Sequence, residues 1–77
     1  MSGMINLDFT TIEALAAERG LGLPTLATAM GYKSPSHLYG IRGRGKVIRK
    51  RMIAPARPKV GKKIADFLGV SVSDISV

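Results

Sequence analysis

The sequence predicts one small all-α domain of four to five short helices, with a basic insert at 46–57 that is either a hairpin or a further short helix. Three observations predict it. The chain has 77 residues, below the roughly 100 to 200 of an average domain, so it holds a single unit, 1–77. Helix-start and helix-stop residues recur at short intervals along it. Cysteine is absent, which excludes a disulfide framework, a Cys-based zinc site and a thiol nucleophile together. A domain of this size buries only about 60% of its unfolded surface. That leaves no room for a deep substrate cavity and favours binding at a surface.

The elements follow in order. Thr10-Thr11-Ile12-Glu13 fits a capping box and opens a first helix, with Ile12, Leu15, Ala16 and Arg19 at helical spacing and a stop at Gly20. Pro24 lies in the first turn of a second helix whose apolar face is Leu26, Ala27 and Met30, ending at Gly31. Ser34-Pro35 is a helix-start pair for a third helix. In it Leu38 and Ile41 face inward and turn Ser36, His37, Tyr39, Gly40 and Arg42 to other faces. In KVIRKRMIAPAR at 46–57, Val47, Ile48, Met52 and Ile53 suit a basic hairpin, while Ile48 and Met52 suit one short helix ended by Pro55. Pro55 to Pro58 then reads as an extended connector. Val60, Ile64, Phe67 and Leu68 mark a fourth helix stopped by Gly69, and Ser71 with Asp74 forms another cap.

Charge divides the chain into three. Twelve Lys and Arg against five Asp and Glu give a net +7. Residues 33–63 hold eleven of those bases and no acid, and both flanks are mildly acidic. Such a block of like charges repels itself and is best matched to a polyanion, which points to nucleic acid ahead of an anionic membrane surface or a simply solvated face. No apolar run approaches the ~18 residues of a membrane span. Met1 to Thr10 lacks the basic start and apolar stretch of a signal peptide. The expected location is therefore the cytoplasm, at the nucleoid, with no membrane partner.

The second and third helices form a helix-turn-helix unit at about 23–43. Ala27 permits close approach, Gly31 supplies the turn, and Leu38 and Ile41 anchor the third helix. Through LATAMGY at 26–32, SPSHLYGI at 34–41, Gly45, and RPKVGKKIADFLGVSVSDI at 57–75, the sequence resembles the lambda-repressor-like family of Cro and repressor type. It is particularly similar to small Ner-like phage regulators, over roughly residues 11 to 75. The resemblance implies an all-helical domain that binds operator DNA as a homodimer. By position it implies that Ser36, His37, Tyr39 and Gly40 approach base edges and that Lys33 and Ser34 lie in the turn before them. It also implies that Arg42 and Arg44 contact phosphates. Lys46, Arg49 and Arg51 extend the basic set, with Arg49 and Arg51 entering an adjacent minor groove if the insert is an arm.

Each of these residues also has a plainer reading. His37 is a surface or packing histidine as readily as a DNA contact, and with no second His or any Cys it has no partner for metal binding. Tyr39 either packs its ring on the domain or stacks on the DNA backbone, and Ser36 also reads as a capping residue. No catalytic residue, cofactor or small-molecule substrate is expected. The five acids fall in caps or helices with no reason to share a site, and GIRGRGK at 40–46 lacks phosphate-loop spacing. Two other functions fit the same sequence. One is an RNA-binding module using arginine-rich 42–51. The other is an antitoxin-like subunit docking through its apolar ends, Met1 to Phe9 or Ile75 to Val77.

Overall fold

Helices and strands share the chain in the computed structural model, which describes residues 3–77. The order is β1 (Ile5–Asp8), α1 (Phe9–Ala17), α2 (Leu23–Ala29), α3 (Ser36–Gly43), β2 (Lys46–Ile48), β3 (Arg51–Ala56) and α4 (Pro58–Leu68), followed by a 3₁₀ turn at Val72–Asp74. The strands form one antiparallel sheet in the order β1-β3-β2. The all-α expectation is therefore corrected: the domain is mixed, with helices packed around a small sheet.

Two local causes produce the sheet. The insert is the hairpin of the two alternatives, because Arg49 and Lys50 both take left-handed backbone angles, φ 52° and 68°. Two such residues in a row match the right-handed twist of the flanking strands and bring Ile48 opposite Arg51. The second cause is β1, for which the sequence carries only the short pattern Ile5-Asn6-Leu7-Asp8. Leu7 is fully buried opposite Ala54, with Ile5 opposite Ala56 on the same face. The outer edge of β1 is covered by the C-terminal segment, where Asp8 N–H donates to the Ile75 carbonyl and Val77 N–H to that of Asn6. The Met1–Phe9 end suggested for docking thus lies in the sheet from Ile5 to Asp8 and in α1 at Phe9, and Met1 and Ser2 lie outside the described residues.

Pro55, expected in a connector, belongs to β3. Because Asn6 turns its carbonyl to Val77, the Asn6–Pro55 pair is not a hydrogen-bonded one. The missing proline N–H falls on the other side of β3, where β2 has already ended at Lys46. No ladder bond is lost.

The helices are punctuated much as the sequence indicates, with two shifts. α1 begins at Phe9 and is capped by Asp8, which accepts from Thr11 N–H at 3.1 Å, in place of the Thr10 box. Thr10 instead accepts from Met52 N–H at 2.9 Å and ties the helix to β3. α3 begins at Ser36, after Pro35, and Ser34 does not cap it. Arg19, placed on the apolar face of α1 by spacing, reaches across to donate to the carbonyls of Phe67 and Leu68 at the end of α4. The core between sheet and helices is built on Leu7, Phe9, Ile12, Leu26, Leu38, Ile64 and Ile75, all fully buried. No helix among the described residues is long and apolar enough to cross a membrane.

Candidate nucleic-acid interface

The α2–α3 unit is set by its turn. Gly31 holds φ 99°, and beside it Gly31 N–H bonds to the Thr28 carbonyl and Tyr32 N–H to that of Ala27. This is a Schellman closure, which needs a left-handed residue after the helix. Thr25 starts α2 by accepting from Gly22 N–H at 2.8 Å. After α3 the chain turns into β2 at Gly45, where a Cβ would lie 2.5 Å from the Ile53 carbonyl oxygen and 2.7 Å from the Ala54 Cβ. Only glycine passes that close to β3.

With Leu38 and Ile41 buried, helical geometry assigns every other side of α3. Ser36, Tyr39, Gly40 and Gly43 form the outward arc, His37 one flank and Arg42 the other. Gly40 and Gly43 have nothing within 4 Å of where a Cβ would stand. The arc is therefore bare backbone between one hydroxyl and one phenol, with Tyr39 45% exposed. Ser36 shares a 2.7 Å hydroxyl contact with Ser34, and Lys33 is exposed in the turn before them.

The basic residues divide by their partners. Three ion pairs form among the described residues, and two of them engage residues expected to face DNA. Arg42 donates to Glu13 of α1 at 2.8 Å. Arg51 donates to Asp8 at 2.6 Å and to the Thr11 hydroxyl at 3.0 Å. Burial raises the Asp8 carboxyl, but the Thr11 amide, the Arg51 guanidinium and the Thr11 hydroxyl outweigh that and hold it below its usual value. The third pair, Lys62 with Asp66 at 3.1 Å, lies on α4.

On the other flank His37 stacks on Tyr32, with ring centroids 4.6 Å apart and an interplanar angle of 28°. Lys63 of α4 places its ammonium 4.4 Å from the centre of the same Tyr32 ring. Burial pushes the Tyr32 phenol above its ordinary pKa, so it stays neutral there. His37, Arg44 and Arg57 border one cleft between α3, the end of β3 and the start of α4. Lys46 is exposed at the start of β2, and Arg49 and Lys50 are exposed at the hairpin tip.

Of the expected site residues, α3 and its turn bring together Lys33, Ser34, Ser36, Tyr39 and Gly40. His37 and Arg42 fall on the flanks, and Lys46, Arg49 and Arg51 belong to the hairpin. Residues that sequence reasoning missed are Gly43 on the arc, Lys50 at the tip, Arg57 at the N-cap of α4 and Lys63 within that helix. Helical spacing from Leu38 marks Gly43. Arg57 and Lys63 join the site only through tertiary packing, for which the sequence carries no local signal. No group of three or more His, Cys, Asp or Glu that would hold a metal occurs among the described residues. Compared with known protein families, curated proteins and solved structures, the chain matched none.

Proposed function

We propose that this chain is a sequence-specific double-stranded DNA-binding regulator of the Cro and repressor type, with α3 lying in the major groove. The observation that carries the proposal is the division of α3: one side locked into the core, the opposite arc bare, and basic side chains to either side, Arg42 toward α1 and Arg44 at the cleft toward α4. A major groove of about 12 Å admits a helix of this kind. Ser36 and Tyr39 offer hydroxyls to base edges, while Gly40 and Gly43 let the helix backbone come close to the groove floor. Phosphates on either side meet Lys33, Arg44, Lys46 and the tip residues Arg49 and Lys50. Arg42 contributes what its pairing with Glu13 leaves over. Two copies on a two-fold site complete the reading, since eight helical residues cover few base pairs. Such a regulator works on the genome, in the cytoplasm of its host.

The test is duplex affinity measured against salt. With 6 to 10 phosphates neutralised, affinity falls by about 10³ to 10⁵ between 50 and 200 mM salt. A flat response contradicts the proposal.

A further inference from the structure

The cleft between α3, the end of β3 and the start of α4 has a volume of about 300 Å³. Its rim carries two guanidinium groups, Arg44 and Arg57, with the His37 ring beside them, and its floor is apolar, with Ile41, Ala56 and Val60. No carboxylate lines it. Three other cations, Arg42, Arg51 and Lys62, each have an acidic partner. Arg44 and Arg57 have none among the described residues, and both line the same cleft.

The start of α4 adds to the imbalance. Its N-cap is Arg57, no side chain caps its free amides, and its first turn contains no acid. The positive end of that helix therefore lies next to the residue that carries the guanidinium, with no acid to offset either. By contrast α1 is capped by the Asp8 carboxylate. His37 is held at the rim by its stack on Tyr32, and the Arg57 side chain makes no hydrogen bond or ion pair among the described residues.

We infer that this cleft is the seat of one backbone phosphodiester of the duplex, gripped by Arg57 and Arg44 with the attached deoxyribose on the apolar floor. The inference rests on the DNA-binding reading above and adds to it a contact from outside the helix-turn-helix unit. A guanidinium meets a phosphate with two parallel N–H bonds, which fixes direction as well as distance. The cleft lies on the His37 flank of α3, so a phosphate held there sets the angle at which the outward arc enters the groove. The same chemistry is offered by a free nucleotide, and the experiment separates the two sources.

The experiment uses the full chain and a fluorescent 20-bp duplex across a salt series, with wild type, Arg57→Ala, Arg57→Lys and Lys62→Ala. Arg57→Ala is expected to lower the slope of log affinity against log salt by about 0.9, the value of one phosphate contact, equally on every duplex sequence. Arg57→Lys keeps the slope but binds more weakly, because a point charge replaces the fork. Lys62→Ala, whose charge is already paired, leaves the slope unchanged. Thermal unfolding of Arg57→Ala is expected to match wild type, which separates lost contact from lost fold. Deoxynucleoside monophosphate is titrated in parallel while the His37 ring resonances are followed. If wild type binds duplex and Arg57→Ala equals it in slope and affinity, this inference is overturned and the DNA-binding reading stands. If in addition the mononucleotide shifts His37 in wild type alone, the cleft is a small-anion site. If wild type itself binds no duplex, both fall together.

Discussion

The side of α3 that faces α1 and the side that faces α4 draw on the same basic stretch of sequence and use it in opposite ways. Toward α1, Arg42 is paired with Glu13 in the middle of that helix, while at its start Arg51 is paired with Asp8. Both carboxylates come from the mildly acidic N-terminal flank. Toward α4, His37, Arg44 and Arg57 border one cleft with no acid among its lining residues. A run of positive charge in a sequence therefore overstates the surface it offers. Part of it holds the fold together, and only the remainder is free to meet a partner.

Asp8→Ala separates the two uses most sharply. It removes the cap of α1 and the partner of Arg51 at once, and the expected cost is about 2 kcal/mol, a fall in Tm of roughly 10 °C. The duplex salt slope of the folded variant stays that of wild type. If thermal unfolding of the variant is unchanged, the Asp8 cluster is not the structural half of the comparison.

The same carboxylate makes the fold sensitive to acid. Its pKa is lowered on folding, so its contribution is fully present above the ordinary carboxylate value and is lost as pH falls through the folded one. Stability is expected to hold from neutral pH down to about 4 and then decline. In Asp8→Asn the decline is shallower, the rest coming in part from Asp74, held low by the Ser71 amide and hydroxyl. Denaturant unfolding at a series of pH values checks this, and parallel curves for the two proteins would contradict it.

The hairpin tip tests the free half. Arg49 and Lys50 hold left-handed angles that Asn and Gly adopt more cheaply. Replacing them together, Arg49→Asn with Lys50→Gly, is expected to stabilise the domain by about 1 kcal/mol and raise Tm by roughly 4 to 8 °C. The duplex salt slope drops by up to about 1.8 if both contact phosphates. A more stable protein with unaltered binding would place the tip away from DNA.

Smallest is the effect of Arg42→Ala. A half-exposed pair of this kind contributes at most about 1 kcal/mol. Its loss is expected to weaken binding to all duplexes alike, and by less than Arg44→Ala does. Affinities of the two variants on one duplex decide the order.

The sequence was most legible where a single residue controls the backbone. Gly31, Pro24 and Gly69 mark the ends of helices, and Leu38 with Ile41 orients α3. It was least legible where partners are distant. β1 is four residues long and is a strand only because β3 and the C-terminal segment take up its backbone groups. The hairpin turn contains neither Asn nor Gly, so the usual signal for it is missing. Thr10 resembled a cap but is used by Met52, and Asp8 two residues earlier caps the helix instead. For the site, spacing from Leu38 places the outward arc. Nothing in the residues around Arg42 and Arg51 reveals that acids far away in sequence will engage them.

Selection from a pool of randomised duplexes at fixed salt tests the central claim most directly, carried out with wild type and with Ser36→Ala and Tyr39→Phe. The account predicts that wild type enriches a defined motif and that the two variants shift preference at particular base positions while their salt slopes stay the same. A wild-type pool that stays random, or variants that lose every duplex equally, would contradict the assignment of α3 as the reading helix.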